Sequence, residues 1–112
     1  MHATFVELPA FERYRSRYLD DEQFRRLQVE LLVKPESGDL IVGTGGLRKM
    51  RFPDARRGKG KRGGLRVIYY RWELGDQLWL FAIYDKDEVD DLSSKEKRAL
   101  KAMLQAELEE RQ

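Results

Sequence analysis

The sequence predicts a single α+β domain, in the order N-terminal strand, helical hairpin, antiparallel β-meander and C-terminal helix. Three observations predict it: apolar residues recur at helical spacing before Gly38, aromatic and β-branched residues fill three segments after it, and helical spacing returns after Ser93. A chain of 112 residues with 41% hydrophobic residues can bury one core. No linker is long enough to divide it, so we expect one domain over residues 1–112.

The first third is predicted to form a short strand and two helices. Residues 4–8 are β-like and stop at Pro9, which suits the first turn of a helix. Asp20 is a favourable N-cap for the second helix, and Pro35 is expected to end that helix. The predicted apolar faces are Phe11, Tyr14, Tyr18 and Leu19 in the first helix, and Phe24, Leu27, Leu31 and Leu32 in the second.

The β-meander is predicted from three segments, residues 47–52, 65–73 and 77–84. The last is the most hydrophobic, so we expect it to be central and buried on both faces. Residues 43–46, Gly-Thr-Gly-Gly, are interpreted as a tight turn leading into the first of these strands rather than as a phosphate-binding loop, because a strand follows them. Ser93 and Glu96 predict a capping box for the last helix, whose apolar stripe is Leu100, Met103, Leu104 and Leu108.

Composition excludes several kinds of chemistry. The chain has no cysteine, and its one histidine is His2, so disulfides, zinc-thiolate sites and cysteine nucleophiles are excluded. The acidic residues between 85 and 91 lack the spacing of an EF-hand loop, and we expect neither a metal nor another cofactor. With no export signal and no long apolar run, we expect a cytoplasmic protein that does not enter a membrane.

Positive charge is concentrated in residues 48–71. This segment holds ten of the 22 basic residues and one acid, Asp54, and its net charge is +9 against +2 for the whole chain. Such a segment favours a dense anion, of which a nucleic-acid backbone is the commonest. The residues we expect to bind nucleic acid are Arg48, Arg56, Arg57, Lys59, Lys61, Arg62 and Tyr84. For residues 56–64, in which cations alternate with glycines, the alternative to nucleic-acid binding is a solvated surface loop.

A second group of cations lies on the predicted strands. Period two places Lys49 and Arg51 on one face, and a hairpin would bring Arg66 near them. Clustered cations can make a lysine a proton acceptor, and fixed arginines can stabilise a pentacoordinate phosphate, so such a site can cleave RNA through its own 2′-hydroxyl. Spacing alone leaves open whether these residues only bind phosphate, and slightly favours that reading. Tyr84 and Lys86 would complete the site at the end of the last strand.

The order of elements and three segments resemble the RelE/ParE superfamily of bacterial toxins, and most of all its HigB-type branch. Residues 43–51 read Gly-Thr-Gly-Gly-Leu-Arg-Lys-Met-Arg, and residues 59–70 read Lys-Gly-Lys-Arg-Gly-Gly-Leu-Arg-Val-Ile-Tyr-Tyr. Residues 84–88 read Tyr-Asp-Lys-Asp-Glu, with Asp91 and Leu92 after them. The resemblance covers nearly the whole chain.

This resemblance implies a ribosome-dependent mRNA endonuclease, the toxin of a type II toxin–antitoxin pair. Family members cut mRNA in the ribosomal A site, beside 16S rRNA, and leave a 2′,3′-cyclic phosphate without using a metal. The implied partners are mRNA, the ribosome and a helix-turn-helix antitoxin, through which the toxin contacts operator DNA indirectly.

By position, the resemblance assigns catalytic roles to Lys49, Arg51 and Arg66. Asp87 stands where the family has a further arginine after its last strand, and we expect Lys86 to take over part of that residue's catalytic role. Arg66 opens the family's R-x-x-Y strand and, like Lys49, is expected to stabilise the transition state. Arg51 matches a general-base candidate, but a guanidinium hardly loses its proton. The proton acceptor therefore stays open between Lys49, Lys86 and a group of the ribosome or message.

Two other functions are compatible with the sequence. A ParE-like protein would inhibit DNA gyrase by protein binding, although the basic pair of Lys49 and Arg51 argues against it. A plain RNA- or ribosome-binding module would bind RNA in a salt-dependent way and cut nothing.

Overall fold

The computed structural model describes residues 3–58, 64–87 and 91–111, with only the backbone given for Arg57. The predicted α+β class and the order of elements are confirmed. Single 3₁₀ turns at Ala55–Arg57 and Glu73–Gly75 lie in the connections. The elements are β1 (Thr4–Glu7), α1 (Pro9–Tyr18), α2 (Asp21–Val33), β2 (Asp39–Leu40), β3 (Arg48–Phe52), β4 (Leu65–Trp72), β5 (Gln77–Asp85) and α3 (Ser94–Glu110). None of the helices in the described ranges combines the length and apolarity that crossing a membrane requires.

The strands form one sheet in the order β1-β5-β4-β3-β2. The predicted antiparallel meander of β3, β4 and β5 is confirmed. As predicted, β5 is buried on both faces, but β4 takes the central position because β1 adds to the far side of β5 as a parallel neighbour. The short strand β2 forms the opposite edge of the sheet and pairs with β3.

A layer of helix covers each face of the sheet. On one face, Leu27 and Leu31 of α2 pack with Val67 and Tyr69 of β4. On the other, Leu104 of α3 packs with core side chains of β4 and β5 that include Ile68, Trp79 and Phe81. Burial of these apolar side chains is the main source of stability in such a two-sided core.

The predicted helix caps are confirmed, whereas two predicted core positions are wrong. The side chain of Asp20 accepts a hydrogen bond from the backbone of Gln23 at 2.8 Å, and Ser93 and Glu96 form the full capping box of α3. Tyr14 and Met103 stay exposed at 42% and 38%. The stripe that each helix buries is narrower than the spacing predicts, with Phe11 and Tyr18 buried in α1 and Leu104 buried in α3.

The turn between α2 and β2 is tied to the sheet by buried polar contacts. The hydroxyl of Tyr69 donates to the carbonyl of Pro35 at 2.8 Å and accepts from the backbone of Gly38 at 3.0 Å. The guanidinium of Arg48 donates to the carbonyl of Gly38 at 2.8 Å. A β-carbon on Gly38 would lie 2.9 Å from the backbone of Lys49, so only glycine permits this approach. These contacts hold β2 against β3.

The glycines at 43–46 form the predicted turn before β3. Gly43 and Gly45 have φ angles of +86° and +82°, which disfavour other residues. The buried hydroxyl of Thr44 donates to the carbonyl of Ile41 at 2.7 Å. The turn delivers the chain into β3 at Arg48.

Candidate functional site

A cleft of about 850 Å³ lies over the face of the sheet that α3 partly covers, beside the turn after α2 and the start of α3. We call it the basic cleft. Six of its side chains are cations and three are carboxylates, and Tyr84 and Leu92 also line it. The charged lining residues are Glu30, Lys34, Asp39, Lys49, Arg51, Arg66, Lys86, Asp91 and Lys97.

Strand register brings the predicted catalytic residues to the floor of this cleft. Arg51 of β3 pairs with Arg66 of β4, and Arg66 pairs in turn with Tyr84 of β5. Directly paired residues point to the same face, and so does Lys49, two residues before Arg51. The predicted geometry of Lys49, Arg51 and Arg66 is therefore confirmed, while their chemical roles stay a prediction.

The two arginines differ in their surroundings. Arg66 is buried, with 7% of its surface exposed, and its Nη1 donates to the carbonyl of Leu65 at 3.1 Å. Burial lowers the pKa of the Arg66 guanidinium, the charge of Arg51 lowers it further, and Tyr84 acts in the opposite direction. Since an arginine starts far above neutral pH, Arg66 remains a cation. Arg51 is exposed to the cleft.

Tyr84 is half-buried on the same rung of the sheet. Its ring packs against the core cluster that α3 covers. Burial raises the pKa of the Tyr84 phenol, Arg66 opposes that rise, and the carboxylates of Asp91 and Glu96 add to it. The phenol is therefore protonated at neutral pH and can donate a hydrogen bond or a proton.

Lys49 and Lys86 stand on opposite sides of this rung. The ammonium of Lys49 lies 3.7 Å from Asp91, and Asp39 is the direct partner of Lys49 across β2 and β3. The backbone of Lys86 donates to the carbonyl of Gly64 at 3.2 Å, which extends the pairing of β4 and β5 by one step. Its exposed side chain lines the end of the cleft.

Two residues predicted to bind RNA have structural contacts elsewhere. Arg48 does not line the cleft, because alternation places it on the sheet face opposite Lys49, where it holds the turn at Gly38. Arg56 does not line it either. Its guanidinium contacts the fully buried Asp54 at 3.0 and 2.9 Å and donates to the carbonyl of Arg17 at 2.7 Å.

The other predicted binding residues are only partly covered by the structure. Lys59, Lys61 and Arg62 lie outside the described residues, and for Arg57 the backbone alone is described. Their contact with RNA stays a prediction.

No sequence pattern predicted the carboxylates in the cleft. Asp39 belongs to a strand of two residues, too short for any periodic signal, and Asp91 reaches Lys49 only through the packing of α3. Asp85 has its own local role, since its carboxylate accepts from the backbone of Asp87 at 2.9 Å. In the described ranges, no three His, Cys, Asp or Glu side chains converge as metal ligands would.

No protein-family model matches the chain. Solved structures of Escherichia coli RelE toxin share its fold, each at 17% sequence identity. A double arginine-to-alanine variant in the free state gives a TM-score of 0.54, covering 80% of this chain and 90% of that chain. The isolated toxin gives 0.53, with 91% and 99% covered. A chain of the intact RelBE toxin–antitoxin complex gives 0.52, with 75% and 96% covered. The fold is therefore that of RelE, as the sequence predicted, and the HigB-type branch stays a prediction.

Proposed function

We propose that this protein is the toxin of a toxin–antitoxin pair and that it cleaves mRNA in the ribosomal A site. The observation that carries the proposal is the rung Arg51–Arg66–Tyr84 on the floor of the basic cleft, in a chain with the fold of RelE. Two adjacent guanidinium groups fit the non-bridging oxygens of a phosphodiester, because each presents a planar fork of N–H donors.

Cleavage proceeds by attack of the RNA's 2′-oxygen on the adjacent phosphorus. The O2′–P bond forms, the P–O5′ bond breaks, and the products are a 2′,3′-cyclic phosphate and a 5′-hydroxyl. Negative charge grows on the phosphoryl oxygens in the transition state, so fixed cations stabilise it more than the ground state. Arg66 is suited to this role because burial and the β4 backbone hold it in place.

The 2′-hydroxyl must also lose its proton. The amines in the cleft, Lys49 and Lys86, are the candidate acceptors, since the guanidinium groups of Arg51 and Arg66 hardly deprotonate. These groups act without a metal, since the nucleophile belongs to the RNA and the charge stabilisation comes from side chains.

The proposed nuclease function also predicts the partners of this protein. The mRNA and 16S rRNA would contact the positive segment at 48–71, whose net charge is +9. A solved neighbour is a toxin–antitoxin complex of RelE, which supports an antitoxin for this chain as well. We propose a helix-turn-helix antitoxin that also contacts operator DNA, and a cytoplasmic site of action.

The test is a translation extract programmed with a defined mRNA, in which the 5′ ends of cut products are mapped. The wild-type protein should cut the message, and Arg66→Ala should reduce cutting by about 10²-fold or more. Arg26→Ala is the control, because Arg26 lies on α2, outside both the cleft and the positive segment at 48–71, and pairs with Glu22 at 3.0 Å on the exposed surface. It should cut like the wild type.

An intact message with both wild type and Arg66→Ala would reject the nuclease. Salt-dependent ribosome binding without cutting would then indicate a binding module. Loss of supercoiling activity in a parallel gyrase assay would indicate a ParE-like inhibitor.

A further inference from the structure

We infer that Tyr84 is a catalytic residue that donates the proton to the leaving 5′-oxygen of the cut RNA. This role differs from the stacking on a base that its aromatic ring suggests. It rests on the proposed function, because it specifies which group completes the bond-breaking half of that reaction.

The first support is position. Tyr84 is the direct cross-strand partner of Arg66, which is the partner of Arg51. Neighbouring strands lie about 4.8 Å apart, so a phosphate held between the two guanidinium groups lies within reach of a tyrosine on the same rung. Lys86 lies two residues farther along, beyond the end of β5.

The second support is availability. No hydrogen bond engages the Tyr84 hydroxyl within residues 3–58, 64–87 and 91–111. Tyr69 offers the contrast, since its hydroxyl is committed to Pro35 and Gly38 on the other face of the sheet. The Tyr84 ring is fixed by the core cluster beneath it, while the residue lines the cleft. The ring of Tyr84 is therefore fixed in place, while its hydroxyl is available to a ligand in the cleft.

The third support is acidity, which differs between the two guanidinium groups and the phenol on this rung. A guanidinium is a poor general acid because it holds its proton too tightly, even for Arg66. A phenol is a weak acid whose proton an alkoxide leaving group readily takes. Tyr84 is therefore the one side chain of the three that can transfer a proton as well as bind charge.

Burial is the main cause of the raised pKa of Tyr84. Among the charged groups, Arg66 on β4 lowers this pKa and favours the phenolate, whereas Asp91 before α3 and Glu96 in its first turn raise it and favour the phenol. The two carboxylates therefore oppose Arg66, and the donor stays protonated beside a cation.

Tyr84 supplies the proton that the leaving group takes up. The P–O5′ bond breaks, its electron pair goes to O5′, and O5′ takes the phenolic proton and leaves as a hydroxyl. The proton lost by the 2′-hydroxyl goes to a cleft amine and through solvent returns to the Tyr84 phenolate. Arg66 stabilises the phenolate while it exists, consistent with its effect on the Tyr84 pKa.

The experiment compares wild type and Tyr84→Phe on ribosome-bound mRNA with either an ordinary phosphodiester or a 5′-bridging phosphorothiolate at the cut site. Phenylalanine keeps the ring and its packing and removes only the hydroxyl. On ordinary RNA we expect kcat to fall by about 10²-fold with KM little changed. A thiolate leaves without a proton, so on the sulfur substrate the two proteins should differ by less than about threefold.

The outcomes separate the proposals. Equal cutting of ordinary RNA by Tyr84→Phe and wild type would overturn the role of Tyr84. Equal losses on both substrates would also overturn it, since the hydroxyl would then be binding rather than donating. If wild type cuts neither substrate, the proposed nuclease itself fails. Circular dichroism and urea unfolding of Tyr84→Phe establish that the variant is folded.

Discussion

Arg51 and Arg66 are direct cross-strand partners, so two guanidinium groups share one face of the sheet at the same rung. Like charges placed opposite each other destabilise a sheet. Burial is the main cause of the lowered pKa of Arg66, and repulsion by the charge of Arg51 lowers that pKa further. Two guanidinium groups that share one rung at the floor of a cleft are arranged to bind one anion, which is the physical basis for placing a phosphate there.

Arg51→Ala should therefore make the protein more stable and less active. We expect the free energy of unfolding to rise by about 0.5 kcal/mol, as relief of cross-strand repulsion, and cutting to fall by about 10²-fold. Urea unfolding at low and high salt measures the first, and the gain should shrink at high salt because Arg51 is exposed and screened. A loss of stability in Arg51→Ala at low salt would contradict the repulsion.

Asp91→Asn should strengthen RNA binding. The Asp91 carboxylate lies 3.7 Å from the ammonium of Lys49 and competes with phosphate for that cation. An exposed ion pair is worth about 0.2–1 kcal/mol, so we expect affinity to rise by a few fold at most. Binding of a 2′-O-methyl RNA, which lacks the nucleophile, measures affinity without cutting. Weaker binding by the variant would mean that Asp91 positions Lys49 rather than competing for it.

The floor of the cleft could be predicted from sequence because it depends on local rules. Alternation along β3 fixes the shared face of Lys49 and Arg51, and pairing with the next strand supplies Arg66. The capping boundaries at Asp20 and Ser93 were equally local. Each of these follows from residues adjacent in sequence or from consecutive strands.

The features that the sequence did not predict depend on contacts between segments that are distant in the sequence. The parallel pairing of β1 with β5 joins two segments that are far apart in the sequence, and no local pattern encodes it. Asp91 reaches Lys49 only once α3 has packed on the sheet. In the sequence, Arg56 resembles the other cations of its loop, but in the structure its guanidinium pairs with the buried carboxylate of Asp54. Asp54 is the one acid of the basic segment 48–71, and it was the sequence signal for this pair.

Arg56→Ala should reduce stability more than it reduces cutting. Its guanidinium contacts both oxygens of the buried Asp54 and lies 4.8 Å from the Tyr18 ring centre. Loss of charge-assisted hydrogen bonds of this kind costs about 1–3 kcal/mol. Urea unfolding measures that cost, and RNA affinity compared at equal folded yield tests for docking. A clear loss of affinity would show that Arg56 also docks RNA.

Tyr69→Phe should destabilise the fold by about 1–3 kcal/mol, because the carbonyl of Pro35 and the backbone N–H of Gly38 both lose a buried partner. Tyr14→Phe is the matched control. Tyr14 is 42% exposed, and its variant should stay within about 0.5 kcal/mol of wild type. Thermal unfolding of the two variants gives the comparison, and equal stabilities would remove Tyr69 as the anchor of β2.

The stability of the protein should fall with alkaline pH partly through Tyr84. Burial raises the pKa of its phenol above the usual value of about 10, against the opposing charge of Arg66. The folded protein then holds this proton more tightly than the unfolded chain does. The resulting stabilisation is full below about pH 10 and is lost as the pH rises through the folded-state value.

Two measurements on wild type and Tyr84→Phe test the raised pKa of Tyr84 and its contribution to stability. The difference in their phenolate absorbance isolates one of the five tyrosines, and it should titrate later than free tyrosine. Urea unfolding across the same pH range should show a steeper decline for the wild type than for Tyr84→Phe, since phenylalanine has no proton to lose. A Tyr84 titration below the free value would mean that Arg66 outweighs burial and the two carboxylates, Asp91 and Glu96. The phenol would then be a weaker candidate for holding a proton beside a bound phosphate.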